Sequence, residues 1–390
     1  MNRKPHSLDI SCSYSISNKK TIRKLGKSKL EGYIVLKDNK SEIRLPMRSF
    51  VKQFLDKLHD IFAGENNADI SKLTSASVGV GASITKKAGI LLGNGLGVPT
   101  ITSTNLSAIV SNAAICDYKG IAFQAPYSFS DIELRTRMTR LITNASSAPW
   151  VIREVGLKTK KTASTASNTG TVLNTIDAVT ETFQGVSDKI VALDFSVSRS
   201  SENGGAVLNL LRLFYNLYLH GSENKSTFLP RVGTVTLSHA SASATSALVM
   251  DAIAGKFWGV VVGKYVSGVG AGEEDSEEFG GTPVPSNPPV SPDEYAFEIN
   301  VTDLTYGIVT VTAVIVSGTK AYFTVSRDIT NNTTIAVLLN RIGLLSKGAT
   351  TAPTTLQNDQ IFMMVNRSVS NISLAPNQTI RVDYKFEIEA

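Results

Sequence analysis

The sequence predicts a mainly β protein with two tandem, diverged β-sandwich-like units, each with one packed amphipathic helix. Charged residues are only 18% of the 390-residue chain, and the apolar share of 42% is large enough to fill real cores. Several segments alternate apolar and polar residues with period two, as half-buried strands do. Four landmarks also occur twice in the same order, which indicates an internal duplication.

The first landmark is a helix over residues 49–63, in which the apolar residues follow one stripe and Gly64 suits the C-terminal stop. The stripe consists of Phe50, Val51, Phe54, Leu55, Leu58, Ile61 and Phe62. Residues 206–220 have the same length and are also followed by a glycine, Gly221. They are apolar on more sides, which predicts a second, more deeply buried helix.

The second landmark is a short apolar strand between glycines, Gly89–Gly93 and again Gly259–Gly263, at an offset of 259 − 89 = 170. The third is an Arg-x-Ile-Thr-Asn type segment that runs on to an apolar-Gly-Leu triplet. It begins at Arg140 and at Arg327, and both ends give one offset, 327 − 140 = 187 and 343 − 156 = 187. We interpret each copy as a β-hairpin whose second strand ends at a Gly that needs special backbone angles or close packing.

The fourth landmark is a terminal strand with period-two alternation near residues 191–197 and again near 380–387. The polar residues of its second copy alternate between positive and negative charge. Such a row of charges fits either a solvated face or a contact with a neighbouring strand of another subunit. They are Arg381, Asp383, Lys385 and Glu387.

These landmarks predict a first unit over 31–200 and a second over 201–390, which share or abut sheets and form one rigid body. A hairpin of Tyr33–Lys37 with Glu42–Leu45 heads the first unit. The change of offset from 170 to 187 locates an acidic, proline-rich insertion at 267–293, expected to be an exposed loop or arm.

Residues 1–30 are predicted to form a basic N-terminal arm. Its cations are not interleaved with aromatic residues after Tyr14, so it could contact nucleic acid only through phosphates. A weak DNA contact, a solvated arm and a subunit contact all remain open. The first thirty residues hold no apolar core of a signal peptide, and no later run is long enough to span a membrane.

The sequence holds no pattern that assigns a catalytic, cofactor-binding or metal-binding residue. Cys12 and Cys116 are expected to be free buried thiols, and the acidic insertion matches no calcium loop. The glycine-rich stretches at 93–97 and 268–272 lack the Lys-Ser/Thr pair of a phosphate loop. Glu154 is a candidate catalytic acid, but the corresponding residue of the second copy is Arg341. A chemistry that both units carry could therefore not use Glu154.

Other titratable and aromatic residues receive structural interpretations. Each histidine is assigned a structural or surface role, and the two tryptophans are candidates for packing at an interface. The histidines are His6, His59, His220 and His239, and the tryptophans are Trp150 and Trp258.

The order of these motifs resembles a domain of virion structural proteins in tailed double-stranded DNA bacteriophages. In this sequence it is carried by residues 49–55, 89–95, 139–144 and 153–157. The second copy keeps residues 326–332 and the turn at 374–378, but it departs at Arg341, where the acidic residue is missing, and at the start of the helix.

The resemblance implies a non-enzymatic structural protein located in the virion. We expect it to assemble through β-rich interfaces, by pairing of strand edges and polar ladders, into a tail, neck, collar or fibre. The resemblance also implies a homo-oligomer that contacts other virion structural proteins, with no membrane partner, small-molecule substrate, cofactor or metal. A receptor-binding or adhesive module of the tail is the alternative. An enzyme acting on host-surface polysaccharide would need paired carboxylates on facing strands.

Overall fold

The computed structural model describes residues 7–17, 21–47, 50–63, 89–110, 115–130, 133–160, 171–198, 204–206, 211, 248–249, 259–263, 304–348 and 361–389. Over these ranges the chain is mainly β and sandwich-like, which confirms the predicted class.

Helix α1 spans Lys52–Ala63. The strands of the described ranges are β1 (Ser7–Ile16), β2 (Arg23–Lys37), β3 (Glu42–Pro46), β4 (Gly89–Gly93), β5 (Cys116–Ser130), β6 (Glu133–Asn144), β7 (Trp150–Lys160), β8 (Thr171–Phe183), β9 (Ser187–Ser198), β10 (Gly204–Ala206), β11 (Leu248–Val249), β12 (Gly259–Gly263), β13 (Leu304–Tyr306), β14 (Thr310–Val311), β15 (Ile315–Ser317), β16 (Lys320–Asn331), β17 (Val337–Gly348), β18 (Ile361–Leu374) and β19 (Thr379–Glu389).

Eleven strands of the described ranges form one antiparallel sheet, the large sheet, whose centre is the pair β1 and β2. On one side of this pair lie β19, β16 and β13, and on the other lie β9, β6 and β5. β14 and β15 pair with β16, and β3 pairs with β2. Because β1 hydrogen-bonds to both β19 and β2, the N-terminal strand joins the two halves of the chain in one sheet.

Two smaller sheets pack against one face of the large sheet. One has the order β4-β7-β8, and the other has the order β10-β18-β17-β11 with β12 also paired to β17. The pairings occupy corresponding registers, since Gly93 lies opposite Glu154 and Gly263 lies opposite Arg341. These positions are 263 − 93 = 170 and 341 − 154 = 187 residues apart, the offsets found in the sequence.

The main core lies between these layers, because every second residue of the large sheet points towards the small sheets. β1, β16 and β19 alternate buried and less buried residues along most of their length. The buried set includes Phe195, Phe323, Tyr384 and Phe386, and the rings of Phe323 and Phe386 stack at 4.8 Å. A smaller cluster of Val51, Leu91, Leu106, Leu173 and Ile176 lies around the β4-β7-β8 sheet.

Helix α1 begins three residues later than the sequence predicts. Phe50 and Val51 are buried but precede the helix, and Phe50 forms a bridge with Thr175 of β8. The buried helical residues include Phe54, Leu55 and Leu58. The helix contacts β8 from the first half of the chain and β14, β16 and β19 from the second, so its apolar stripe packs on both halves.

The N-terminal segment differs from the expected basic arm in its described residues. Residues 7–16 form β1, and residues 23–30 begin β2, both at the centre of the large sheet. The reason is a period-two apolar pattern on the buried face of β1: Leu8, Ile10, Cys12, Tyr14 and Ile16. The prediction emphasised the cations and overlooked this alternation.

The interpretation of residues 139–157 as a hairpin is wrong. β6 and β7 follow one another in the chain but belong to different sheets, since β6 pairs with β5 and β9 while β7 pairs with β4 and β8. Gly156 lies inside β7 rather than at its end. A glycine is needed at this position because of close packing: a Cβ there would lie 2.6 Å from Cδ1 of Leu106.

Several predicted features lie outside the described residues. They are the insertion at 267–293, the glycine-rich stretch at 268–272, Trp258, three of the histidines, and the helix at 206–220 apart from Ala206 and Leu211. Ala206, the predicted first residue of that helix, is the last residue of β10. Leu211 is helical and buried. The head hairpin is confirmed, because Tyr33–Lys37 pairs with Glu42–Pro46.

Candidate functional site

The most elaborate buried polar site surrounds Arg140 on β6. Its side chain is 3% exposed and donates hydrogen bonds to the carbonyls of Lys119 (3.0 Å) and Ile90 (2.7 Å). The guanidinium also lies 4.5 Å from the ring centroid of Tyr118. A buried cation needs such acceptors to replace water, and a ring face adds attraction.

Tyr118 connects this site to the neighbouring small sheet. Its hydroxyl donates to the carbonyl of Val110 at 3.0 Å and accepts from the backbone N–H of Leu92 at 3.2 Å. Burial raises the pKa of Tyr118 well above its usual value and the pKa of Cys116 to about 11. Burial lowers the pKa of Arg140 to about 10, so the tyrosine and the thiol are neutral and the guanidinium is charged at pH 7.

The same arrangement occurs around Arg327 on β16, where the guanidinium donates to the carbonyls of Gly307 (2.8 Å) and Val260 (3.3 Å). It lies 4.8 Å from the ring centroid of Tyr306, whose hydroxyl donates to the carbonyl of Val262 at 3.2 Å. The sequence indicated the two arginines but missed the tyrosines. Their separation, 306 − 118 = 188, differs by one from the offset of 187, which aligns Tyr118 with Thr305 instead.

A second duplicated network lies at the turns that follow β6 and β16. Asn144 donates to the carbonyls of Ala148 (3.1 Å) and Phe183 (3.2 Å), and its side-chain oxygen accepts from the backbone N–H of Ser146. Asn331 repeats this pattern with the carbonyls of Ile335 and Leu374, both at 2.8 Å, and with the N–H of Thr333. Each asparagine therefore holds a turn between two layers.

Glu154, the candidate acid of the first half, is 1% exposed and holds the glycine-rich loop (residues 94–108) in place. Its carboxylate accepts from the hydroxyl (2.7 Å) and the backbone N–H (3.1 Å) of Ser107, and from the N–H of Ala108 (3.3 Å). The Ser107 hydroxyl accepts in turn from the N–H of Gly97 at 3.2 Å. An anion approaching this loop would meet a carboxylate, so the loop is unsuited to holding a phosphate.

Two aliphatic side chains project from the glycine-rich loop. Leu96 is 80% exposed and Val98 is 84% exposed, although the backbone around them is hydrogen-bonded to Ser107. A fixed, exposed apolar pair is the kind of anchor that protein interfaces use, because little entropy is lost when it docks. We call this pair the loop tip.

Lys189 on β9 is the centre of a partly buried ion-pair cluster. Its side chain is 2% exposed, and its ammonium lies 3.1 Å from Asp38 and 3.0 Å from Glu181. Asp38 also accepts from the backbone N–H groups of Lys40 and Ser41, both at 2.8 Å. The N–H of Lys40, followed by the Lys189 ammonium, holds the pKa of Asp38 well below its usual value.

The predicted charge ladder of β19 lies on the outer face of the large sheet. Arg381 pairs with Asp383 at 3.2 Å, Lys385 with Glu387, and Lys320 of β16 with Glu387 at 3.2 Å. Because β16 and β1 flank β19 on both sides, its backbone cannot pair with another subunit. The ladder is a solvated face whose charges are paired within the chain.

The two edges of the large sheet are irregular. β5 has three register breaks and contains Pro126, which lacks an N–H to donate, and the opposite edge is divided among the short strands β13, β14 and β15. Natural sheets use bulges, proline and short edge strands to prevent the addition of further strands. Extension of the sheet by another subunit is therefore disfavoured along most of both edges.

The remaining predicted residues have packing surroundings. His59 meets Phe323 edge-on at 5.6 Å, and half-buried Trp150 lies 5.4 Å from Phe183. Cys12 and Cys116 are buried thiols, which confirms that expectation. Within the described ranges, no group of three or more His, Cys, Asp or Glu side chains is placed to hold a metal, and no helix is long and apolar enough to cross a bilayer.

Comparisons with known proteins give no match: no family model, curated protein or solved structure is detectably similar to this chain.

Proposed function

We propose that this chain is a non-enzymatic structural protein of a tailed bacteriophage virion, built from two diverged copies of one β-rich unit. It assembles with its own copies and with neighbouring virion proteins into a tail, neck, collar or fibre. The motif order within the chain supports the virion assignment through its resemblance to such proteins. A receptor-binding or adhesive module remains the alternative.

The observation that best supports two copies of one unit is the repeated arginine network. Arg140 and Arg327 lie 187 residues apart and donate to carbonyls of β4 and β12, at positions 260 − 90 = 170 residues apart. Each guanidinium also lies over a tyrosine that bonds to the same small strand. Two unrelated domains would not reproduce side-chain partners at these offsets.

A cohesive role is supported by what the buried polar groups contact. Arg140, Arg327, Asn144 and Asn331 each donate to backbone carbonyls, and each reaches one carbonyl of a small sheet. These carbonyls belong to Ile90, Val260, Phe183 and Leu374, respectively. Buried polar side chains of this kind tie sheets together and specify one packing arrangement. They serve the rigidity that a particle component needs.

The structure favours assembly through side chains over assembly through strand edges. The outer face has paired charges and the edges are irregular, whereas the loop tip presents two exposed aliphatic residues on a fixed backbone. We place the main contact between copies at the loop tip. Partner side chains that enclose Leu96 and Val98 would remove their apolar surface from water.

The test is the mass of the purified protein in solution, measured by light scattering, with electron microscopy of the same sample. A closed ring, trimer or fibre is expected, and Leu96→Ser/Val98→Ser should shift it towards monomer. The matched control is Leu141→Ser/Ile190→Ser, which changes two aliphatic residues, 37% and 39% exposed, on the outer face of the large sheet.

A protein that stays monomeric at high concentration and adheres to host cells would favour the adhesive module instead. Loss of assembly in the control but not in the loop-tip variant would move the contact to the outer face. Labelling the protein in intact particles would then test its location directly, and its absence from them would end the virion assignment.

A further inference from the structure

The excess positive charge of the chain is concentrated in one short segment. The whole sequence has 39 basic and 33 acidic residues. Residues 19–29 contain six of the basic residues and no acidic residue, so the rest of the chain has 39 − 6 = 33 basic against 33 acidic residues. These six are Lys19, Lys20, Arg23, Lys24, Lys27 and Lys29. The net charge of +6 is therefore a local property.

Four of these cations lie on the first half of β2, which we call the basic strip (Arg23–Lys29). Arg23, Lys24, Lys27 and Lys29 are all exposed. Within the described part of the chain, the basic strip pairs with β1 on one edge, while β9 pairs with β2 only from Leu30 onwards. Its other edge is thus not covered by any described strand.

The backbone of the basic strip is paired with β1 on one side, with one register shift between the Ser11–Lys27 and Ser13–Lys24 pairs. Lys27 is additionally paired with Asp9 of β1 at 2.9 Å, whereas the cations at 23, 24 and 29 form no ion pair within the described residues. At about 3.3 Å per residue the basic strip spans roughly 20 Å. Successive phosphates of one DNA strand advance about 3.4 Å along the helix axis, so several of them can lie along this length.

We propose that the basic strip binds the phosphate backbone of double-stranded DNA without reading its sequence. The segment offers cations but no aromatic ring on which an unpaired base could stack, which favours duplex over single-stranded DNA. Anionic membranes also attract cations, but an interfacial site needs an apolar face, and Ile22 alone is a large exposed apolar residue in the described part of this segment. This inference is independent of the assembly proposal.

The test compares binding of full-length protein to a 30-base-pair duplex of arbitrary sequence between 50 and 200 mM salt. Lys24, Lys27 and Lys29 lie opposite the outer-face residues of β1, whereas Arg23 lies opposite buried Tyr14. For the three outer-face cations, log affinity should fall with log salt with a slope of about −2.7, because each phosphate contact contributes about 0.9. Arg23→Gln/Lys24→Gln/Lys29→Gln leaves the Lys27–Asp9 pair intact. It removes two of the three contacts, so it should flatten the slope by about 1.8 and weaken binding at 50 mM salt.

The matched control is Lys37→Gln/Lys40→Gln/Lys119→Gln, which removes the same charge from exposed or half-exposed positions elsewhere. The control should keep the salt-dependence slope of the unmodified protein. Both variants should have the same thermal unfolding midpoint as the unmodified protein. Equal loss in both variants would show that net charge rather than the basic strip attracts DNA. Failure of the unmodified protein to bind the duplex, or binding only to phosphatidylserine vesicles, would also overturn the proposal.

Discussion

Replacing Ile10 with alanine tests the central role of β1. Ile10 is fully buried, and it lies between Phe386 of β19 and Ser28 of β2. Truncating a buried isoleucine to alanine costs about 2–5 kcal/mol, because apolar contacts are lost and a cavity remains. The neighbouring Ser11→Ala changes the outer face of the same strand and is expected to alter stability by less than about 0.5 kcal/mol.

The assay is thermal unfolding of the two variants beside the unmodified protein. At roughly 2 °C per kcal/mol for a large chain, Ile10→Ala should lower the midpoint by about 4–10 °C. Hydrogen exchange gives a second measure, because the amides of β1 bond to strands on both sides and should exchange slowly. Equal midpoints for both variants, with fast exchange in β1, would show that residues 7–16 behave as the arm that the sequence suggested.

Three further changes have defined outcomes. Val186 is 75% exposed with φ of 46°, while Asn377 takes the same turn position with φ of 58°. Val186→Asn should therefore raise the free energy of unfolding by about 1 kcal/mol, and Asn377→Val should lower it by a similar amount. Gly259→Ala should destabilise by about 2–5 kcal/mol, because φ is 89° and the added Cβ collides with a valine side chain. Gly120→Ala, where the space is open, should be nearly neutral in the same measurement. The folded-state pKa of Asp38 is lowered, so its carboxylate stabilises the fold above about pH 4, and this stabilisation is lost as the pH falls further. Asp38→Asn should therefore have a lower thermal unfolding midpoint than the unmodified protein at pH 6. Its midpoint should also decline less between pH 5 and pH 3.

Much of the fold class follows from local patterns. The sequence shows the alternation of β19, the bounds of β4 and β12, and the hairpin of β2 with β3. In a strand with one buried face, an apolar residue recurs at every second position. The offsets of 170 and 187 also recur in the strand registers. Periodicity therefore located these strands and suggested a duplication.

The candidate surfaces were less accessible to sequence reasoning. The role of Glu154 depends on Ser107, which lies 154 − 107 = 47 residues earlier, and the pattern around neither residue predicts the contact. The loop tip is notable only because the structure leaves Leu96 and Val98 exposed. The basic strip was evident as a charge run, but its paired backbone and its uncovered edge depend on β1 and β9.

The sequence by itself located about half of the described strands, the apolar residues of those strands, and the landmarks that recur. It did not locate the long strands β1, β5, β8 and β18. Only the tertiary structure decided which strands pair, because alternation records a buried face and contains no information about the neighbouring strand. For that reason β6 and β7 separate into different sheets, and β1 lies between β19 and β2 at the centre of the large sheet.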